Sequence, residues 1–109
     1  MITVKFRERK LSHRIRLEVK GHAQLVEEGY DVCCESASTL TYTIAQLMKV
    51  NREKGWLVDE PRRELNKGDA VIECRPEYES YITVLNQFMV ILTGFQILQA
   101  KYPDLIRLI

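Results

Sequence analysis

The sequence predicts a single α+β domain, a two-layer sandwich in which two helices cover one face of a mostly antiparallel four-stranded sheet. Three observations lead to this prediction. The 109 residues are a common size for one domain, and 46% hydrophobic with 28% charged residues is the composition of an ordinary globular protein. The predicted elements follow the order strand, strand, helix, strand, strand, helix. No repeat, low-complexity tract or linker divides the chain, so residues 1–109 are expected to form one domain.

The first two predicted strands form a hairpin. Apolar residues occupy every second position over 2–6 and again over 15–19, which is the period of a half-buried strand. The polar positions of this hairpin are rich in Arg and Lys, which predicts one wet, basic face. Gly21 closes the hairpin. The stretch from Gly21 to Asp31 has no sustained period, so it is expected to be a loop.

The first helix is predicted over about 33–51, with Asp31 as its N-cap. Apolar residues recur at intervals of three and four from Ala37 to Met48, which is the pattern of one buried helical face.

The apolar group 56–58, after Gly55 and before Pro61, predicts the third strand.

The second half of the chain continues with a turn at 66–68 and a fourth strand at 70–74. The proline-free segment from Glu79 to about Lys101 predicts a long second helix, which ends before Pro103. Residues 105–109 are apolar enough to add a short fifth strand.

Charge and targeting signals indicate a cytoplasmic protein. The net charge of +1 provides no overall attraction to nucleic acid or membrane. The N-terminus lacks the apolar core of a signal peptide, and residues such as Asn86 and Thr93 interrupt the longest apolar stretches. We therefore expect no membrane-spanning segment. In a reducing compartment the three cysteines are expected to be free thiols.

No cofactor and no metal site are predicted. His13, His22, Cys33, Cys34 and Cys74 are suitable zinc ligands by type, but the adjacent cysteines lack the usual spacer of two to four residues. Cys33 and Cys74 are interpreted as buried hydrophobic residues of the core.

Cys34 and His22 are candidates for a nucleophile and its general base. With Asp31 as N-cap, Cys34 lies in the first turn of the helix, where the dipole stabilises a thiolate and free backbone N–H groups are available for an oxyanion. His22 directly follows Gly21 and is separated from Cys34 by one loop. The pair alone is unspecific, because an exposed histidine and a buried cysteine fit the same residues.

A longer motif makes the pair more specific. Gly21-His22-Ala23, followed eleven residues later by Cys34 within Asp31-Val32-Cys33-Cys34 and then by Ala37-Ser38, resembles the ribosomal-processing cysteine protease family. The resemblance implies that His22 and Cys34 form the catalytic dyad, that Gly21 shapes the histidine turn and that Ser38 lies one helical turn beyond the nucleophile. It also implies a homodimer. The implied substrate is the N-terminal extension of a large-subunit ribosomal protein, or a capsid-assembly protein for members encoded by phages.

Several alternatives stay open at this point. Glu35 and Ser36 stand where the family usually has small residues, so a catalytically inactive, dimeric binding module is one alternative. A ribosome- or RNA-associated module is another, through the basic positions of the hairpin: Arg7, Arg9, Lys10, His13, Arg14 and Arg16. Asp31 either orients His22 or caps the helix. Ser38 either bonds the carbonyl one turn back or approaches the Cys34 sulfur.

The second helix has more apolar surface than contact with a sheet requires. One stripe consists of Tyr81, Val84, Phe88, Ile91, Phe95 and Leu98, and a second, adjacent stripe of Ile82, Leu85, Met89 and Leu92. The second stripe, helped by residues 56–58, is expected to form a two-fold homodimer interface.

Overall fold

The protein is a two-layer α+β domain with a five-stranded sheet. A computed structural model describes residues 1–21 and 30–109, with side chains from residue 32 onward in the second range. The strands are β1 (Ile2–Arg9), β2 (Arg14–Lys20), β3 (Arg62–Asn66), β4 (Asp69–Cys74) and β5 (Ile106–Leu108). The helices are α1 (Tyr30–Glu53) and α2 (Tyr81–Lys101), and a 3₁₀ turn (Tyr78–Ser80) leads into α2. The predicted loop from Gly21 to Asp31 lies largely outside the described residues.

The sheet has the order β3-β4-β2-β1-β5, and all neighbouring strands are antiparallel except β1 and β5. The β1–β2 hairpin pairs Phe6 with Leu17, and β2 pairs Leu17 with Ile72 of β4. Strand β5 runs parallel to β1 and pairs Ile2 with Ile106. The short fifth strand predicted at the C-terminus is therefore present, and it makes the sheet mixed.

The two faces of the sheet differ because apolar and charged residues alternate along the strands. One face, including Ile2, Val4, Ile15, Leu17 and Ile72, is buried in the same core cluster as both helices. The opposite face carries charged side chains, so the helices occupy one face as predicted.

Helix α1 packs on α2 as well as on the sheet. The buried stripe of α2 is the predicted one, with Val84, Phe88, Ile91, Phe95 and Leu98 in the core. Asn51, which is 1% exposed, exchanges hydrogen bonds with Gln87 across the helix pair, at 2.6 Å and 3.3 Å. A buried amide pair of this kind satisfies both side chains without a charge.

The third strand was predicted in the wrong place. Residues 56–58 are irregular, apart from one bridge between Leu57 and Pro76, and the strand is Arg62–Asn66. Leu57 is 1% exposed and fills the core as a loop residue. Because β3 is a mostly exposed edge strand, its polar sequence lacks the apolar alternation that identifies the other strands.

The expectation that no apolar stretch could span a membrane was also wrong, because one helix is long and apolar enough to do so by length and composition. The segment Tyr78–Lys101 has 24 residues and contains an 18-residue stretch with a mean hydropathy of 1.5, which is sufficient by those two measures. In this fold one side of the helix is part of the core, and a core helix passes the same test.

Candidate active site

A cavity of about 240 Å³ lies between the beginning of α1, the end of β2 and the turn that joins β3 to β4. Both layers of the domain contribute apolar lining residues, and the charged ones are Lys67 of the turn and Asp69, the first residue of β4. The lining residues are Ile2, Val19, Gly21, Cys34, Ala37, Ser38, Thr41, Tyr42, Leu65, Asn66, Lys67, Gly68, Asp69 and Ala70. We call this cavity the Cys34 cleft.

The three thiols have different surroundings. Cys33 is 0% and Cys74 is 1% exposed, and both belong to the core, as predicted. Burial raises the pKa of the Cys33 thiol, and it raises the pKa of Cys74 to about 12. Cys34 is half-buried and lines the cleft. Among the described residues, only the Cys34 thiol is therefore open to a substrate.

Helical geometry separates the two adjacent cysteines. Neighbouring residues of an α-helix point about 100° apart. Cys33 shares the core-facing side of α1 with Ala37, four residues later, whereas Cys34 shares the cleft side with Ser38.

The Ser38 hydroxyl differs from those of its neighbours. Thr39, Thr41 and Thr43 each donate a hydrogen bond to the carbonyl four residues back, at 3.0, 2.7 and 2.6 Å. Ser38 makes no such bond within the described part of the chain and lines the cleft beside Cys34. Of the two alternatives for Ser38, the back-bond is therefore not seen among the described residues.

Gly21 occupies a position that excludes any side chain. Its φ is +95°, and a Cβ placed there would lie 2.1 Å from the Met1 carbonyl oxygen. The Gly21 N–H donates to the Gly68 carbonyl at 2.9 Å, which ties the end of β2 to the β3–β4 turn at the edge of the cleft. His22 follows Gly21 directly in the chain and lies outside the described residues.

The beginning of α1 differs from the prediction. Because the helix begins at Tyr30, Asp31 is a helical residue and not the N-cap. The helix therefore begins three residues before the predicted start. Only the first four amides of a helix lack an internal partner. Cys34 is the fifth helical residue, so the expectation that it lies among these free amides was wrong.

Glu35 and the basic hairpin face bear on the two alternative functions. Glu35 is exposed and does not line the cleft. Arg16 bonds Glu18 and Glu73, each at 2.6 Å, and Arg14 lies 3.6 Å from Asp59. These acidic neighbours offset the charges of Arg14 and Arg16, two of the six basic positions of the proposed nucleic-acid face.

Sequence reasoning missed the contribution of the β3–β4 turn and of Tyr42 to the cleft. The turn itself was recognisable from Asn66-Lys67-Gly68, but its position beside Cys34 depends on pairing between β4 and β2. Tyr42 is not part of the predicted apolar face of α1, and it is 57% exposed while still lining the cleft. No group of three potential metal ligands occurs among the described residues.

A partly exposed thiol in a cleft between a helix and a sheet is one feature that a thiol-dependent hydrolase requires. The sequence profile of the family described as cysteine protease Prp matches residues 1–107. The chain therefore belongs to the Prp family of cysteine proteases.

Solved structures show the same fold. A ribosomal processing protease Prp from S. aureus, in complex with a substrate peptide, has 21% identity and a TM-score of 0.69, with 100% of this chain and 98% of that chain covered. SMU.848 from Streptococcus mutans has 22% identity and a TM-score of 0.67, covering 99% and 91%. The S. aureus protease with a covalently linked product peptide has 22% identity and a TM-score of 0.65, covering 99% and 97%. No curated protein matches significantly.

Proposed function

We propose that Cys34 is the nucleophile of this protease and that His22 is its general base. The observation that carries the proposal is that the Cys34 thiol alone, of the three, opens into the cleft that ends at Gly21. His22 accepts the Cys34 proton, and the thiolate attacks the carbonyl carbon of the scissile peptide bond. The C–N bond then breaks as the imidazolium returns the proton to the leaving amine, and water hydrolyses the thioester to regenerate the thiol.

Gly21 supports this dyad by holding the chain where it leaves β2 for His22. Ser38 offers a hydroxyl to the reacting carbonyl or to the sulfur, and this role is consistent with its position one turn after Cys34. Asp31 is proposed only as an orienting residue for His22, since it is not the helix cap.

The proposed substrate is a cytoplasmic protein with an N-terminal extension, either a large-subunit ribosomal protein or a phage capsid-assembly protein. The family and the ribosomal processing activity of its S. aureus member support this proposal. The test is incubation with N-terminal peptides of both kinds from the same genome under reducing conditions, read by mass spectrometry. We expect one discrete cut with the wild type and none with Cys34→Ala. Absence of any cut would favour the inactive binding module.

We further propose a homodimer through the exposed side of α2. Of the predicted second stripe, Leu85 and Leu92 are part-buried against the core, whereas Ile82 is 65% and Met89 37% exposed. Val90, 71% exposed, and Ile97, 55% exposed, extend this apolar surface. An apolar surface of this extent is uncommon on a monomer. Light scattering coupled to size exclusion should give twice the 12.8 kDa chain mass. Ile82→Glu should shift the mass toward one chain, whereas Gln46→Glu on the exposed side of α1 should not. A single-chain mass for the wild type would refute the dimer.

A further inference from the structure

Within residues 1–21 and 30–109, strand β3 leaves one edge of the sheet unpaired beside the Cys34 cleft. It is the first strand in the order β3-β4-β2-β1-β5, and among these residues it pairs with β4 alone. Four of its five residues are exposed. An edge strand presents unpaired backbone N–H and C=O groups that another extended chain can bond.

The register identifies the residues whose backbone groups face outward. Asn66 pairs with Asp69 across the two-residue turn, so these two residues exchange the hydrogen bonds next to the turn. Along an antiparallel strand, the backbone N–H and C=O groups of one residue bond the neighbouring strand, and those of the next residue point away from it. The backbone groups of Arg63 and Leu65 therefore point away from β4.

The charged side chains of β3 are paired within the domain. Arg62 and Glu64 bond each other through two contacts of 2.8 Å and 2.9 Å, so their charges offset locally. Arg63 donates from Nε to the Ala45 carbonyl of α1 at 2.8 Å. Each of these side chains already has a partner within the domain.

The free edge continues into the cleft. Leu65 and Asn66 line the Cys34 cleft directly. Tyr42 lines the cleft and also a groove along α1 that includes Thr39 and Gln46. A chain that follows the β3 edge toward the turn is thus led to the nucleophile, with α1 as the opposite wall.

We propose that the substrate binds as an extended peptide added to the sheet as a strand along the free edge of β3, with its backbone bonded to Arg63 and Leu65. This inference rests on the proposed protease function and specifies how the peptide is held. Recognition by added strands takes affinity from the peptide backbone and specificity from alternate side chains.

The first experiment uses the cleaved N-terminal peptide in a backbone N-methyl scan. N-methylation removes one amide donor at a time and leaves the side chain unchanged. We expect methylation at alternate positions on one side of the scissile bond to raise KM about tenfold, because each such change removes one backbone hydrogen bond. Binding of the same peptides to Cys34→Ala should show the same alternation.

The second experiment changes the protein. Leu65→Pro removes the outward N–H, and proline is tolerated where an edge-strand N–H faces solvent. Leu65→Ala is its matched control, because it also removes the leucine side chain but keeps the N–H. KM should be about tenfold higher for Leu65→Pro than for Leu65→Ala, with similar kcat. Peptide binding should also slow hydrogen exchange at Arg63 and Leu65 but not in β5, at the opposite edge of the sheet.

The outcomes separate this inference from the catalytic proposal. Cleavage with no alternation in the scan overturns the added strand and leaves the dyad intact. Alternating effects on binding without cleavage support the added strand and overturn the catalytic proposal. Failure of the peptides both to bind and to be cut overturns both. If Leu65→Pro fails to fold, the N-methyl scan and hydrogen exchange decide.

Discussion

The two halves of α1 are built differently. Its carboxyl-terminal half is held by several contacts: the Asn51 amide bonds Gln87, Arg52 donates to the Leu57 carbonyl at 3.0 Å, and the Ala45 carbonyl accepts from Arg63. Ile44, Ala45 and Met48 are at most 1% exposed. The amino-terminal half buries Cys33 and Ala37, but Cys34 and Ser38 line the cleft.

This difference shows how one helix serves both stability and chemistry. The carboxyl-terminal half fixes the position of the helix against α2 and the sheet. The side chains of the amino-terminal half therefore stay oriented toward the cleft, although they do not fill it. We therefore expect substitutions in the cleft to affect turnover with little effect on stability, and substitutions around α2 to do the reverse. Five predictions test this separation, in order of decreasing effect.

The largest effect is expected from Cys34→Ser. A hydroxyl is a much poorer nucleophile than a thiolate at neutral pH, so kcat should fall by about 10⁴-fold or more. The side chain is only half-buried and the volume change is small, so the free energy of unfolding should change by less than about 1 kcal/mol. Peptide cleavage and urea denaturation measure the two quantities. Retained cleavage would remove Cys34 from the mechanism.

The opposite result is expected for Phe88→Ala on α2. Phe88 is 0% exposed, so its truncation leaves a cavity in the core and should lower the free energy of unfolding by about 3–5 kcal/mol. The folded fraction should still cleave peptide at nearly the normal rate. A loss below about 1 kcal/mol would show that α2 is not packed as described.

The amide pair between the helices gives a sharper test. Asn51→Ala should cost about 2 kcal/mol, because Gln87 loses a partner in a part-buried position. Replacing both residues with leucine should cost less than Asn51→Ala alone, since no polar group is then left unpaired. Equal or larger destabilisation of the double variant would contradict the pairing.

The two adjacent cysteines test the same separation within the cleft half. Cys33→Ala should cost about 2 kcal/mol of stability, because the side chain is fully buried. It should leave most of the activity, since the thiol faces the core. A folded but inactive Cys33→Ala protein would mean that the two thiols have exchanged roles.

The smallest effect concerns alkaline pH. Burial raises the pKa of Cys74 from 9.0 to about 12, so the folded state disfavours its thiolate. The associated stability is fully present below pH 9.0 and is lost as the pH rises toward about 12. The loss should reach about 1.4 kcal/mol one pH unit above the ordinary value. Cys74→Ala should reduce the slope of stability against pH over this range, and an unchanged slope would contradict the assignment.

The sequence alone determined most of the fold, wherever the periodic pattern was strong. The β1–β2 hairpin, the buried stripe of α2 and strand β4 follow from spacing, because a buried face requires apolar residues at the period of its element. The Gly-His-Ala and Cys34 motif likewise identified the family. The exposed edge strand β3 was misplaced, since a strand that buries little carries no periodic signal.

Only the tertiary structure decided what surrounds the thiol. The register between β2 and β4 brings the Asn66-Lys67-Gly68 turn to the cleft, and the pairing of β3 with β4 places Leu65 there as well. These features arise from contacts between residues far apart in the chain. Local spacing carries no information about such contacts, because they depend on which elements pack together and at what register.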